Sequence, residues 1–245
     1  MVRLLYPVPD DPPPTIRVEG VRFHHLIHVL RLRAGDPFEV FDGRGRSFSA
    51  RVAAVDRTTA DISVGSPVAA TSERPIMLIQ ALPKAEKMDW IIQKGTELGA
   101  AAFAPVQSRR SVVRLLGSTA EKRVQRWRKI AEEAARQCGR SDVPTILPVD
   151  ALEARVKAAS ATMRCYVLDE EERSLSLAQA FSPAMADKSP IALIVGPEGG
   201  FERGEVESMS DLGATKATLG KTRLRAETAA IVGLAVILHL DGRIG

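Results

Sequence analysis

Two loops in the last quarter of the chain carry residues that could do chemistry. The first, GPEGGFERGE (Gly196 to Glu205), follows the apolar run IALIV; the second, LGKTRLRAET (Leu219 to Thr228), follows KAT. Gly196, Gly199 and Gly200 let the backbone bend tightly and approach a ligand closely. Pro197 stiffens that turn. Glu198 and Glu202 set carboxylates near the start of a helix, where negative charge is favoured. In the second loop Arg223 and Arg225 flank Leu224, just ahead of Glu227 and Thr228, which open the last helix. An arginine beside a backbone-rich pocket suits a phosphate or an anionic transition state. Taken alone, GPEGG is also explained as a strand-to-helix turn with no ligand, and Arg225 as an ion-pair partner of Glu227 or Glu198.

Several chemistries are excluded by spacing. GPEGGFERGE lacks the Lys-Ser/Thr pair of a phosphate-cradling loop, and it is not the GxGxxG of a dinucleotide site. No GxSxG nucleophile turn, HExxH or CxxC stands in the chain. Cys138 and Cys165 give neither ligand spacing nor a disulfide framework, which fits a reducing cytoplasm. His24, His25 and His28 include one i,i+4 pair but bring no third ligand, so core packing or RNA contact is read ahead of metal. Trp90 and Trp127 read as core anchors.

These loops need a framework. The 245 residues suffice for one large or two modest domains, and a hydrophobic fraction of 45% supports a real core. AAIVGLAVILHL is too short to span a bilayer and reads as a helix buried in the core or in a subunit interface. No charged and then apolar leader opens the chain. Net charge is only +4, but it is uneven. Between Gln107 and Ser141 ten Lys/Arg face three acids, so that segment is +7 and the rest −3. Such a block points to a polyanionic partner, the plain alternative being a solvated helix face.

Residues 1 to about 70 read as a small β-rich module. FEVFDG, SFSARVAAV and ADISV are short strands, interrupted by one helical stretch, RFHHLIHVLRL. The boundary falls in SPVAATSERP, Ser66 to Pro75. Beyond it, strands (IMLIQAL, AAFAPV, TILPV, MRCYVL, IALIVG) alternate with helices, which predicts an α/β layer on a mostly parallel sheet. One helix, EKRVQRWRKIAEEAARQC, carries the apolar stripe Val124, Trp127, Ala131, Ala134 and Cys138. In such sheets ligands sit at the carboxyl ends of strands, where both glycine loops fall.

The pair GPEGGF-E and LG-x-x-x-LR-x-ET-A, in this order near the C-terminus, resembles the SPOUT-type methyltransferases and, more closely, the bacterial 16S ribosomal RNA uridine-N3 methyltransferase family. The resemblance extends over nearly the whole chain, through HHLIHVLRLRAGDPFEVFDGRGRSFSA, KAEKMDWIIQKGTELG, SRRSV and RWRKIAEEAARQCGRSDVPTI. It implies a PUA-like β-barrel over 1–70 and a methyltransferase domain over 74–245 with a deep C-terminal trefoil knot. It also implies a homodimer and S-adenosylmethionine as methyl donor. By position, the donor pocket would take Leu82 and Pro83, then Gly196, Pro197, Glu198 and Gly200, then Leu219, Gly220, Leu224 and Arg225. This chain has Thr222-Arg223 where the family often has Arg-Ile or Arg-Val, which leaves open which arginine contacts RNA.

The implied reaction fixes what the residues must do. The uracil N3 proton must leave, which calls for a base or for stabilisation of the uracil anion. Arg225 is the candidate for stabilising that charge. Glu198 or Glu227 is a base, an orienter or a structural salt-bridge partner. Arg109, Arg110, Arg114 and Arg223 are candidates for RNA contact, with Arg3, Arg22, Arg31 and Arg33 adding surface from the first domain. The implied partner is 16S rRNA or the small ribosomal subunit, with no metal and no membrane. Two alternatives stand beside this reading: a knotted methyltransferase acting on tRNA or on a ribose hydroxyl, and an RNA-binding assembly protein without catalysis.

Overall fold

The structure, a computed structural model, describes residues 2–68 and 73–245. The middle of the expected boundary segment, 69–72, lies outside the described residues. The chain divides into two compact units, one of 1–72 with 135–143, the other of 73–134 with 144–245. The sequence reading gives 135–143 to the second domain. The structure groups it with the first, because Arg3 donates to the carbonyl of Arg140 (2.7 Å) and to Ser141 Oγ (3.2 Å).

The first unit is a five-stranded sheet. Its strands are β1 (Arg3–Leu5), β2 (Thr15–Glu19), β3 (Pro37–Phe41), β4 (Ser47–Val55) and β5 (Thr59–Val68), in the order β1-β3-β4-β5-β2. Only β1 and β3 run parallel. Two register shifts in the β4/β5 ladder bend the sheet. The ladder leaves β1 and β2 as edges, and Tyr6 Oη reaches the carbonyl of Arg17 (3.4 Å) across that gap. Alternating residues such as Val18, Phe38, Val40 and Ile62 fill the inner face. The RFHHLIHVLRL stretch becomes α1 (Gly20–His24), continued as a π-helix over His25–Val29.

The second unit holds a seven-stranded sheet in which every pairing is parallel. Its strands are β6 (Ile76–Ala81), β7 (Ala102–Gln107), β8 (Thr145–Ile146), β9 (Asp150–Ala151), β10 (Arg164–Leu168), β11 (Ile191–Val195) and β12 (Thr215–Ala217), ordered β12-β10-β11-β6-β7-β8 with β9 also on β7. β11 is buried at all five positions, as a central strand covered on both faces must be.

The helices are α2 (Lys87–Leu98), α3 (Gly117–Cys138), α4 (Leu152–Ser160), α5 (Leu177–Phe181), α6 (Arg203–Asp211) and α7 (Ala226–Leu240). Gly99, at φ 118°, ends α2. Glu202 and Glu205 form a reciprocal cap on α6, with the Glu202 N–H donating to Glu205 Oε2 (2.9 Å).

Three expectations about packing resolve differently. Trp127 is buried, its Nε1–H donating to Asp89 (2.9 Å), but Trp90 is 43% exposed. The buried stripe of α2 is Met88, Ile91, Ile92, Gly95 and Thr96, and Trp90 falls outside its phase. On α3 Val124, Trp127, Ala131 and Ala134 are buried, whereas Cys138, the last helical residue, is exposed. The apolar helix α7 buries Ala230, Leu234, Ile237 and Leu238, yet Ile231, Val232, Ala235 and Val236 on its other side stay partly open.

Candidate active site

The carboxyl ends of β10, β11 and β12 open together into one cleft of about 1030 Å³, its mouth included. Of the residues read from sequence, Gly196, Pro197, Glu198 and Gly200 line it from the first loop, and Leu219, Gly220, Leu224 and Arg223 from the second. Val195, Leu168, Ala217 and Ala226 add apolar wall. A third loop, DEEERS after β10, completes the cleft with Asp169, Glu170 and Glu171. Sequence reasoning missed it. The available signal was the apolar strand MRCYVL ending in a turn, which the strand-end rule would have flagged like the other two.

The turn at GPEGG is built for close approach. A Cβ on Gly196 would lie 3.3 Å from the backbone of Gly200. Gly200 sits at φ +66°, and a Cβ there would come within 3.2 Å of Glu170 Oε1. Any side chain at Gly200 therefore meets both a left-handed backbone and the acidic loop. Gly200→Ala is expected to cost about 1–2 kcal/mol from the backbone alone and to weaken donor binding. Calorimetry and thermal melting check it; an alanine variant with unchanged melting and unchanged binding would mean that the turn is not strained as described.

Glu198 and Glu227 converge on a residue absent from the sequence reading. Lys87 Nζ lies 3.0 Å from Glu198 Oε1 and 3.1 Å from Glu227 Oε2. Glu198 also accepts from the Lys84 N–H (3.0 Å). Burial pushes the Glu198 carboxyl up, but Lys87 and the backbone N–H groups outweigh it and hold the group below the usual carboxylate range. The bond to Glu198 leads in raising Lys87 above an ordinary lysine. A triangle of one cation and two anions thus ties the start of α2 to the GPEGG turn and to the first turn of α7.

Arg225 is the N-cap of α7, and its carbonyl accepts from Ala229 N–H (2.8 Å). It is exposed, it is not among the residues lining the cleft, and its guanidinium makes no ion pair among the described residues. Leu82 and Pro83 do not line the cleft either. Leu82 N–H donates to the carbonyl of Val106 (2.9 Å), so it continues the β6/β7 ladder and turns its side chain into the core.

The arginines separate into distinct settings. Arg3 is held by Glu39 (2.6 Å), Ser47 and Ser141, which leaves it a structural residue. Arg22 stacks over Tyr6 at 5.4 Å, and Arg31 and Arg33 are exposed. In the second unit Arg109 pairs with Glu202 (3.1 Å), Arg110 donates to the carbonyl of Gly199 (2.9 Å) and Arg114 to that of Arg109 (3.2 Å). Arg223 pairs with Glu170 (2.8 Å) at the cleft mouth, while Thr222 beside it is exposed. His24 and His28 stack with ring centroids 5.0 Å apart, and His25 Nε2 lies 3.4 Å from Arg136. Among the described residues no three His, Cys, Asp or Glu gather as a metal site, and no helix is long and apolar enough to cross a membrane.

Residues 70–238 match a family model described as an RNA methyltransferase domain, and residues 18–65 one described as an RNA methyltransferase PUA domain. The ribosomal RNA small subunit methyltransferase E of Bacillus subtilis is 35% identical over 92% of this chain and 90% of its own. The solved structure of a ribosomal RNA small subunit methyltransferase E from Neisseria gonorrhoeae, bound to S-adenosyl methionine, is 30% identical with a TM-score of 0.86 over 98% of each chain. A methyltransferase from Legionella pneumophila, in complex with the bound cofactor SAM, is 29% identical with a TM-score of 0.83 over 97% of each chain. With a PUA domain ahead of a parallel-sheet domain whose strand ends form the cleft, the chain belongs to the RNA methyltransferase family.

Proposed function

We propose that the chain methylates N3 of a uridine in the 16S rRNA of the small ribosomal subunit, with S-adenosylmethionine as donor. The observation that carries the reading is the three-loop cleft, glycine-walled at GPEGG, in a chain whose relatives are small-subunit RNA methyltransferases. The cleft fits that donor. Leu168, Val195, Leu219 and Leu224 offer an apolar wall for an adenine, and backbone at Gly196 and Gly220 is open to polar groups. When bound, the sulfonium supplies an electrophilic methyl group.

The chain's own residues do the rest. Arg225 holds a charge beside the cleft that pairs with no carboxylate among the described residues, suited to the uracil anion left once N3 has given its proton to solvent water. Glu198 and Glu227 act as orienters through Lys87 rather than as bases, since the same ammonium holds both. The target base must be unpaired or flipped, because helical RNA hides its base edges.

The reading includes a homodimer, favoured by the partly open Ile231, Val232, Ala235 and Val236 on α7. It includes a trefoil knot, favoured by α7 leaving the β12 edge to pack on β6 and β11 at the sheet centre. Its site of action is the cytoplasm, where ribosomes assemble.

The test is methyl transfer from labelled donor to small subunits from a strain lacking the activity, to free 16S rRNA and to bulk tRNA, with the product mapped by mass spectrometry. N3-methyluridine in small-subunit RNA is expected. Methylation of tRNA or of a ribose hydroxyl would move the substrate, and absence of both transfer and donor binding would overturn the reading.

A further inference from the structure

The segment between β7 and α3 is fixed by many bonds, yet it turns apolar side chains to water. Ser108 and Ser111 are buried with hydroxyls 2.9 Å apart, and Ser108 N–H donates to Ser111 Oγ (3.2 Å). Gln107 Nε2 donates to the carbonyl of Leu115 (3.2 Å). The loop is pinned to the donor turn and to α6: Arg109 N–H donates to Glu205 (2.8 Å), and Arg110 Nη1 to the carbonyl of Gly199 (2.9 Å). Nevertheless Val112 is 68% and Leu116 75% exposed. Single exposed apolar residues are ordinary. These two are interleaved with Arg109, Arg110 and Arg114, no acid stands between Gln107 and Leu116, and the loop is hydrogen-bonded to Gly199 in the GPEGG turn, whose neighbours line the cleft.

We infer that this loop is a platform for unpaired RNA beside the methylated base. Val112 and Leu116 contact base faces, and Arg109 and Arg114 take the adjoining phosphates. The inference rests on the proposed RNA substrate and deepens it. Single-strand sites combine cations that follow the backbone with side chains, usually aromatic, that pack on bases; aliphatic side chains contribute apolar burial instead and also serve as wedges where a base leaves its stack. Arg110 is committed to Gly199 and acts by holding the platform against the donor turn. Arg109 can exchange partners, because its ion pair with Glu202 is exposed and such pairs are weak. A second copy of the chain is the poorer occupant: packing this loop on itself across a two-fold axis would set arginine against arginine.

The test uses the full chain and fluorescence anisotropy with a short fluorescein-labelled oligouridine and a blunt RNA duplex. Val112→Ser combined with Leu116→Ser is expected to raise the Kd for oligouridine at least about fivefold, the loss of about 1 kcal/mol of apolar burial, to change the duplex Kd less than about twofold, and to leave the salt dependence unaltered. Arg114→Glu is expected to lower the slope of log Kd against log salt by about one. Donor binding by calorimetry stays unchanged in both variants, which shows that the fold is intact. The inference is overturned by wild type that does not bind oligouridine, by an unchanged oligouridine Kd in the serine variant, or by equal losses on both RNAs. A changed oligomeric mass by light scattering with RNA binding retained would also overturn it, making the loop a self-interface. Oligouridine binding as expected, from a chain that methylates no RNA, would sink the proposed reaction and leave the platform standing.

Discussion

Arg225→Ala is expected to lower kcat about 100- to 1000-fold, the range seen when one preorganised charge at a developing anion is removed, and to change donor affinity less than about threefold. The split follows from position. Leu224 and Ala226 line the cleft on either side of Arg225, whereas Arg225 does not. Its backbone caps α7, so the side chain leaves a fixed point. The carboxylates that would otherwise neutralise it, Glu198 and Glu227, are both taken by Lys87. Arg225→Lys keeps the charge but loses the planar fork, so an intermediate rate is expected. Single-turnover transfer and donor calorimetry on the same preparations check this. A loss confined to donor Kd would assign Arg225 to donor binding and remove it from the chemistry.

Legibility in the sequence followed the range of the interactions. The GPEGG and LRAET loops could be read because glycine, proline and a following helix start are local signals, and the same holds for the apolar runs that became β6, β10 and β11. The phase of α2 was equally local: Met88, Ile91, Ile92 and Thr96 mark one stripe, and Trp90 lies off it. Reading Trp90 as an anchor weighed residue type above period. Contacts between distant segments were not legible. Arg3 is an arginine in an open β-module by sequence and a half-buried fastener by structure, because Ser47, Glu39, the Arg140 carbonyl and the Ser141 hydroxyl arrive from elsewhere. Lys87 gives no signal in KAEKMDW, since its two partners stand in the last quarter of the chain. For the same reason the acidic loop after β10 went unread, since only the fold sets Glu170 where a Cβ on Gly200 would lie 3.2 Å from its Oε1.

Lys87→Met should carry the second large effect, on donor binding and on stability together. Glu198 and Glu227 each lie about 3 Å from the same nitrogen, so they are no more than about 6 Å apart. Removing the cation leaves two partly buried carboxylates facing each other, and a shared site of this kind raises one carboxyl pKa. Charged hydrogen bonds contribute about 1.5–3 kcal/mol when shielded. All three side chains here keep some exposure, so about 1–2 kcal/mol is the better expectation, which is about five- to thirtyfold in donor Kd if the whole effect falls on the donor turn. The pH dependence has a definite sign. Glu198 is held low, so its contribution is complete above the ordinary carboxylate pKa near 4.3 and fades as pH falls through the folded value. Lys87 is held high, so its contribution is complete below about 10.4 and fades as pH rises through the folded value. Wild type should therefore show no dependence from this cluster between about pH 5 and pH 10. In Lys87→Met the facing carboxylates move the acid limb to higher pH, so donor affinity should begin to change at a higher pH than in wild type. Adding Glu198→Gln and Glu227→Gln to Lys87→Met removes the stranded charges and should recover part of the melting temperature, since replacing a whole ion cluster costs less than breaking it. Equal donor Kd and melting temperature in wild type and Lys87→Met, across that pH range, would show that the three groups are merely neighbours on the surface.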